Sequence, residues 1–179
     1  MSNRASVLAD AAVRVVAQRG LRGLTHRAVD EQAGLPAGAT SNVFRTRQRL
    51  LEALGDHLVT LDLAAWGGLP LRVPADVDEL AGSLAALTAA ACTDVDPILA
   101  RFAVFTGAPA AFARHHRLLL DQLTAMLEQL RVADPKARAR AVIDHLDGVT
   151  LHAVTVRRGE PVDAGALAAD LRALLGRNG

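Results

Sequence analysis

The segment over residues 20–51 most constrains the fold, because three residues with strong local preferences lie in it at short spacing. Thr25 suits the N-cap of a helix, since its hydroxyl can accept a hydrogen bond from a free backbone N–H of the first turn. Gly34 can take the left-handed conformation that often ends a helix, and Pro36 is tolerated in the first turn of the next one. The segment therefore predicts a helix-turn-helix, two short helices joined by a Gly-containing turn. The predicted helices are 25–33 and 37–44.

Positive charge is concentrated around this segment. Residues 1–50 contain eight Arg and three acidic residues, a net charge of +5, whereas residues 51–179 contain 12 basic and 16 acidic residues, a net charge of −4. A locally basic surface is the electrostatic footprint of a polyanionic partner such as nucleic acid. A solvated basic face without a partner is the alternative. The coincidence of the charge with the motif favours nucleic acid.

The rest of the chain predicts helices almost throughout. Ala and Leu are abundant, Tyr is absent and aromatic residues make up 3% of the chain, a composition that favours helices over strands. A Gly- and Pro-rich loop is predicted over 66–74, and Asp96 followed by Pro97 is typical of a helix start. We find no convincing strand and predict an all-α fold with about nine helices. Their ranges are 5–19, 25–33, 37–44, 46–65, 76–91, 98–106, 110–131, 134–158 and 163–175.

The helix-turn-helix segment resembles the signature of the TetR family of transcriptional repressors. Eight positions match that signature in order and spacing: Thr25, Arg27, Ala33, Gly34, Leu35, Pro36, Gly38 and Phe44. Arg47 stands where the family usually has a Lys. Ser41 and Val43 replace the Tyr and the His that normally contact phosphates in relatives. The match falls within residues 5–50, under a third of the chain.

The resemblance implies two domains. A three-helix DNA-binding domain would occupy residues 1–45 and continue into the helix over 46–65. Residues 46–179 would form a larger helical domain that binds an effector and dimerises. Such a protein would be a dimeric repressor that binds a palindromic DNA operator and is released by an unknown small-molecule effector.

The same resemblance implies which residues contact DNA. The helix over 37–44 would enter the major groove with Ala37, Thr40 and Asn42 nearest the base edges, since Asn can pair with adenine and Thr can bond a base or contact a thymine methyl. Gly38 would let the backbone approach the DNA closely. A salt bridge to a nearby acidic residue is the alternative for Arg47. The residues expected to bind phosphates are Thr25, Arg27, Ser41 and Arg47, and Pro36 completes the DNA-binding set.

The larger domain would carry the effector pocket and the dimer interface. For each candidate pocket residue, packing in an ordinary core is the likelier alternative. The candidate pocket residues are Trp66, Phe102, Phe105, Leu119, Leu123 and Met126. In the family, the last two helices of each subunit form a four-helix bundle across the two-fold axis, and packing within one subunit is the alternative here. The candidate interface residues are Leu146, Val149, Ala153, Val156, Leu167, Leu171 and Leu174.

Several classes of function lack their sequence signals. There is no Glu-x-x-His for a di-iron bundle, no Cys pair for zinc, no phosphate-binding G-x-x-x-x-G-K and no G-x-S-x-G. We therefore expect no catalytic site, no metal and no cofactor. Cys92 is the only cysteine and no apolar run reaches about 18 residues, so we expect a cytoplasmic protein without a membrane partner. The alternative function is a helical ligand-binding or protein-interaction module that has lost sequence-specific DNA binding.

Overall fold

A computed structural model of the chain describes residues 3–67 and 74–176, and within these ranges the secondary structure is entirely helical. The predicted all-α class is confirmed, and the described residues form nine helices. In chain order the helices are α1 (Asn3–Gly23), α2 (His26–Ala33), α3 (Ala39–Val43), α4 (Arg47–Gly67), α5 (Val77–Ala91), α6 (Val95–Gly107), α7 (Pro109–Gln129), α8 (Pro135–Val154) and α9 (Ala164–Leu175).

Two helices at the N-terminal end differ from their predicted bounds because of glycine. Gly20 interrupts α1 with φ 64° and ψ 179°, and the chain then continues as one more turn to Gly23. Gly38 takes the left-handed conformation (φ 92°) and becomes the N-cap of α3, so this helix starts at Ala39. Pro36 consequently lies in the turn before α3 and not in its first turn.

Three further predictions of helix ends need correction. Helix α6 begins at Val95, which places Asp96 inside the first turn and not at the N-cap. Helix α8 ends at Val154, because Thr155 leaves helical geometry with φ −120° and ψ −92°. Helix α4 continues through Gly67, so the predicted loop starts later, and residues 68–73 of that loop lie outside the described residues.

The chain divides into two packing units. The first contains residues 1–63 and 96–113, and the second contains residues 64–95 and 114–179. This division follows packing along the chain and does not test the predicted boundary at residue 45, which stays a prediction.

The core of the first unit is built from the apolar stripe of α1 and from α4. Leu8, Val15 and Val16 of α1 are buried against Leu24 and Phe44, and Leu50 and Leu54 of α4 complete the cluster. A three-helix head of about 45 residues buries too little apolar surface to be stable without help. Helix α4, with Ala100 and Val104 of α6, adds buried apolar surface to this core.

The second unit has its own core. Leu80 of α5, Leu123 and Leu127 of α7, Val142 of α8 and Leu171 of α9 are buried in one cluster. Caps fix the ends of two of these helices. The Asp76 carboxylate accepts from the N–H of Glu79 at 2.8 Å, and the Asp163 carboxylate accepts from Gly165 and Ala166 at 2.8 and 3.0 Å. Each cap satisfies backbone donors that the first turn of a helix leaves free.

Candidate nucleic-acid interface

Helix α2 has the start and the stop that the sequence predicts. The hydroxyl of Thr25 accepts a hydrogen bond from the N–H of Ala28 at 3.1 Å. Gly34 ends the helix in the left-handed conformation (φ 64°, ψ 31°), and its N–H points to the carbonyl oxygens of Asp30 and Glu31. Thr25 remains exposed at the start of α2.

A buried carboxylate connects α2 to the turn and to α3. The side chain of Asp30 projects from α2, and the residue is only 3% exposed. One carboxylate oxygen accepts from the N–H of Gly38 at 2.8 Å. The other accepts from both the N–H and the hydroxyl of Thr40, at 2.7 and 2.5 Å. Asp30 therefore caps α3 from a different helix, while the N-cap residue of α3, Gly38, has no side chain to do so.

These contacts keep Asp30 ionised. Burial by itself raises the pKa of a carboxyl group, because it disfavours the charged form. The hydrogen bonds from the Thr40 hydroxyl, the Thr40 N–H and the Gly38 N–H, with the nearby His26, outweigh burial and hold the pKa of Asp30 below its usual value. A carboxylate that accepts several N–H and O–H bonds is stabilised in its charged form.

Thr40 is the member of the predicted DNA-binding set that the structure places elsewhere. Its residue exposure is 0%, and its hydroxyl is bonded to Asp30. The predicted contact between Thr40 and a base edge does not fit this position, because the side chain faces the interior of the motif. The exposed residues of α3 are Ser41, Asn42 and Val43, and Pro36 and Ala37 are exposed in the turn before it.

A second polar bond fastens the other end of α3. Nε2 of His26 lies 2.6 Å from the carbonyl oxygen of Phe44, the C-cap residue of α3. Because a carbonyl oxygen can only accept, Nε2 carries the proton in this bond. The first residue of α2 thus holds the last turn of α3, as Asp30 holds its first.

His26 and Asp30 are the residues that the sequence analysis missed. The signal for them is present, since residues at spacings of three, four and seven lie on one face of a helix. Val29 and Ala33 define the inward face of α2, and His26 and Asp30 lie at these spacings on the same face. Two polar side chains on an inward face predict bonded partners in the segment that packs there.

The two predicted phosphate-binding arginines have different surroundings. Nε of Arg27 donates to Glu31 one turn along α2 at 2.9 Å, and this hydrogen bond and the charge of Glu31 raise the pKa of Arg27. Nη2 of Arg47 donates to the backbone carbonyl of Leu21 at 2.7 Å. The partner of Arg47 is therefore a backbone carbonyl, and not the acidic side chain that a salt bridge would require. Both arginines stay exposed.

The exposed surface of residues 1–50 is more basic than their composition indicates. All eight arginines within residues 1–50 are exposed. Of the three acidic residues, Asp30 is buried, Asp10 lies 2.6 Å from Nε2 of the buried His57, and Glu31 is paired with Arg27. Exposed arginines therefore outnumber exposed acidic residues over residues 1–50, which is the electrostatic condition for binding a polyanion.

The predicted effector residues do not form one described cavity. Leu119 and Leu123 are buried in the core of the second unit, with Met126 packed against that core, so for these three the alternative of ordinary core packing fits better. In the first unit, Phe102 is half-buried and Phe105 is 45% exposed. Trp66 lies near the end of α4, and its side chain is outside what the structure describes.

The predicted dimer residues split into two groups. Ala153, Leu167 and Leu171 are buried within the chain, so they belong to the packing of α8 and α9 in one subunit. Leu146, Val149 and Leu174 are half-buried, and Val156 is 78% exposed beyond the end of α8. Val149, Ala153 and Leu167 line a cleft of about 200 Å³ between α8 and the start of α9.

The described residues were also considered as metal ligands and as membrane-spanning helices. Among residues 3–67 and 74–176, no three His, Cys, Asp or Glu side chains are placed to hold a metal ion. No single helix in these ranges is long and apolar enough to cross a membrane. Helices α5 and α6, which meet at an angle of 98°, have the length and composition of a membrane span only when they are taken together.

Comparisons of sequence find no relative, whereas comparisons of structure do. No protein-family model matches the chain, and no curated protein matches it. A member of the TetR family from Streptomyces coelicolor A3 superposes with a TM-score of 0.79 at 25% identity, covering 98% of this chain and 99% of that one. The multidrug binding protein EbrR, complexed with malachite green, gives a TM-score of 0.78 at 26% identity, covering 99% and 100%.

A more distant structure agrees on the fold. The fatty acid degradation regulator FadR from Bacillus halodurans gives a TM-score of 0.80 at 17% identity, covering 98% of this chain and 95% of that one. The Streptomyces protein is a member of the TetR family, and the Bacillus protein is a regulator of fatty acid degradation. The resemblance predicted from Thr25 to Arg47 is confirmed at the level of the fold over 98% of the chain, and the protein has the TetR-like fold of transcriptional regulators.

Proposed function

We propose that the protein is a transcriptional repressor that binds a palindromic operator as a dimer and is released by a small molecule. The observation that carries this proposal is the arrangement of α3. The helix is fastened at both ends by side chains of α2, its outer face is exposed, and exposed arginines lie in α2, directly after α3 and at the start of α4. This is the arrangement that a recognition helix needs to enter the major groove between two phosphate backbones.

We assign the base contacts to the outer face of α3 and to the turn before it. Asn42 is exposed and carries an amide that can bond adenine through two hydrogen bonds. Ala37 in the preceding turn offers an apolar contact. Thr40 is not assigned a base contact, since its hydroxyl is bonded to Asp30. Asn42 is therefore the principal reader of sequence in this proposal.

Phosphate contacts come from around α3. Thr25, Arg27 and Arg47 are exposed at the starts of α2 and α4, where side chains can bond the backbone of DNA lying against α3. The Ser41 hydroxyl donates to the carbonyl of Gly38 at 3.0 Å, so towards a phosphate it would have to exchange that bond. Such contacts set the register of the protein on the duplex and carry no sequence information. Pro36 and Gly38 keep the backbone of the turn close to the DNA.

A second copy of the chain is the proposed partner of α8 and α9. Asp144, Gly148 and Leu151 are exposed along one side of α8, and Gly165 and Ala169 are exposed on α9. A Cβ built on Gly148 meets no atom within 4 Å, so this side of α8 is open in the single chain. Small side chains allow close approach of helices, and two-fold symmetric operators require two heads.

The ligands of a structural neighbour support the proposed release by a small molecule. EbrR is a multidrug binding protein that has been seen with malachite green, proflavin and ethidium. For this chain we propose an effector site that uses Phe102 and Phe105, the described candidates that lie outside the core clusters. An effector shifts the protein away from its DNA-binding conformation only by as much as it prefers the other conformation.

Selection of duplexes from a random library by the purified protein tests this function. We expect enrichment of a two-fold symmetric sequence with an adenine at one position of each half-site. The variant N42A should lose the preference at that position and keep it elsewhere, whereas a matched change outside the motif, N178A, should change nothing. Failure to enrich any sequence would favour the alternative, a helical module without sequence-specific DNA binding.

A further inference from the structure

We propose that Asp30 is a positioning residue for DNA recognition, because its bonds to Thr40 and Gly38 set the rotation of α3 about its own axis. The inference rests on the proposed function, since it concerns how the recognition helix presents its residues to bases. It assigns to a buried acidic residue a role that its position away from the surface does not suggest.

The first step is the weakness of α3 as a helix. It has five residues, and isolated helices shorter than about 12 residues are marginal in water. Its N-cap residue, Gly38, makes no side-chain bond to the free N–H groups of the first turn. The direction and the start of α3 must therefore be fixed from outside the helix.

The second step is that Asp30 supplies this fixation at two points. The carboxylate holds the N–H of Gly38, which is the residue before the helix, and both the N–H and the hydroxyl of Thr40, which is the second residue in it. Bonds from charged acceptors are shorter and stronger than those between neutral groups. Three such bonds to one rigid carboxylate leave α3 a single rotation.

The third step connects that rotation to base reading. Successive residues of an α-helix are about 100° apart around its axis, so residues two apart lie about 200° apart. With Thr40 turned inward onto Asp30, Asn42 is turned outward, and it is exposed. A rotation of α3 that released Thr40 would move Asn42 away from the groove. The Asp30–Thr40 bond therefore decides which side chain reads the bases.

The buried charge of Asp30 is compatible with a position beside DNA. An exposed carboxylate beside DNA would repel phosphates, whereas Asp30 is buried and its charge is matched by N–H donors at the start of α3. Three of the four phosphate-binding candidates, Thr25, Arg27 and Arg47, lie outside α3, and Ser41 lies in it. Loss of Asp30 should thus weaken base contacts and spare the phosphate contacts of these three residues.

The test compares affinities for a duplex enriched by the wild-type protein and for a scrambled duplex of equal length, at several salt concentrations. The variants are D30N, which keeps size but cannot accept at both carboxylate positions, and T40V, which removes only the hydroxyl. T40S keeps the hydroxyl and removes the methyl group, so it is the conservative variant to compare with T40V. T88V removes a buried Thr hydroxyl that bonds within α5, and D76N makes the same chemical change at the cap of α5.

We expect D30N and T40V to lower the ratio of the two affinities by about tenfold or more, as the loss of a buried charged bond implies, with the salt dependence of scrambled binding unchanged. T40S, T88V and D76N should keep the wild-type ratio. If D30N does not fold, T40V decides, since it retains the carboxylate and both backbone bonds. The inference is overturned if the ratio stays at its wild-type value, or if affinity for both duplexes falls equally. If the wild-type protein enriches no duplex, the proposed function itself is overturned. This outcome is distinguishable from failure of the inference, because the selection is done with the wild-type protein before any variant is compared.

Discussion

Arg47 in the first turn of α4 donates from Nη2 to the carbonyl oxygen of Leu21 at 2.7 Å, across 26 positions of sequence. Leu21 follows Gly20, where α1 changes direction, so the bond ties the start of α4 to the last turn of α1. A positive charge in the first turn of a helix is unfavourably placed for the helix dipole. The partner that compensates is a backbone carbonyl, which leaves the other guanidinium N–H groups available for a phosphate.

Because Arg47 has this structural hydrogen bond and Arg27 does not, substitution of the two phosphate-binding arginines should have different effects on stability. We expect R27A to reduce affinity for every duplex and to lower the slope of log affinity against log salt by about one unit, with no change of melting temperature. R47A should produce the same loss of slope and also lower the melting temperature by about 2–4 °C, because a structural hydrogen bond is lost with the phosphate contact.

Anisotropy titrations and thermal melts measure the two effects, with R140A on α8 as the control, since this exposed arginine lies outside the head. An unchanged salt slope in both variants would contradict the assignment of these arginines to phosphates.

The depressed pKa of Asp30 predicts how stability depends on pH. The folded-state pKa lies below the unfolded value of about 3.9, so the carboxylate contributes stability above that value and loses the contribution as pH falls through the folded pKa. D30N lacks this contribution. At pH 7 it should be less stable than the wild type by about 1–3 kcal/mol, and the difference should shrink as the pH falls below about 4.

Urea unfolding at pH 7, 5 and 3.5 measures this difference. Other carboxylates titrate in both proteins and cancel in the comparison. A difference that is independent of pH would mean that the charge of Asp30 does not contribute to the fold.

The open side of α8 and α9 predicts the effect of a bulky charge there. A169R should weaken dimerisation by at least about tenfold, because an unpaired charge buried in an interface costs several kcal/mol. The folded state of the single chain should be unaffected, since Ala169 is exposed. A125R places the same charge on the exposed face of α7 and is the matched control. Sedimentation velocity over a range of concentrations distinguishes the two, and equal dimerisation of both variants would remove α9 from the proposed interface.

Two glycines predict opposite responses to the same substitution. Gly34 has φ 64° at the end of α2, so G34A strains the backbone and should cost about 1 kcal/mol of unfolding free energy. Gly82 lies inside α5, and an added Cβ meets no atom within 4 Å. G82A should therefore stabilise by about 0.5–1 kcal/mol. Denaturant unfolding of both variants gives the two signs, and stabilisation by G34A would contradict the left-handed cap.

The sequence predicts the parts of this fold that depend on local chemistry. Thr25 as an N-cap and Gly34 as a stop are each decided by neighbours within one or two helical turns, and the structure confirms them. The nine described helices follow for the same reason. Helix ends are less predictable. The start of α3 shifts because the left-handed Gly38 replaces Pro36 as the boundary, a choice that depends on Asp30 eight residues earlier.

The site itself is harder to predict where a contact spans two elements. Sequence spacing alone leaves open whether Thr40 faces a base or the protein interior, because a five-residue helix has no apolar stripe to fix its rotation. The bond to Asp30 decides this, and it joins residues ten positions apart. Arg47 is similar, since its partner is a backbone carbonyl with no side-chain signature. Exposed residues of α3 such as Asn42 follow once the rotation is known.

Fluorescence anisotropy on a duplex from immediately upstream of the gene for this chain, against a scrambled duplex at two salt concentrations, tests the central claim most directly. The account predicts tighter binding to the upstream duplex by about a thousandfold or more, with a steep salt dependence for both. Equal affinity for the two duplexes, or no binding to either, would contradict sequence-specific recognition by α3.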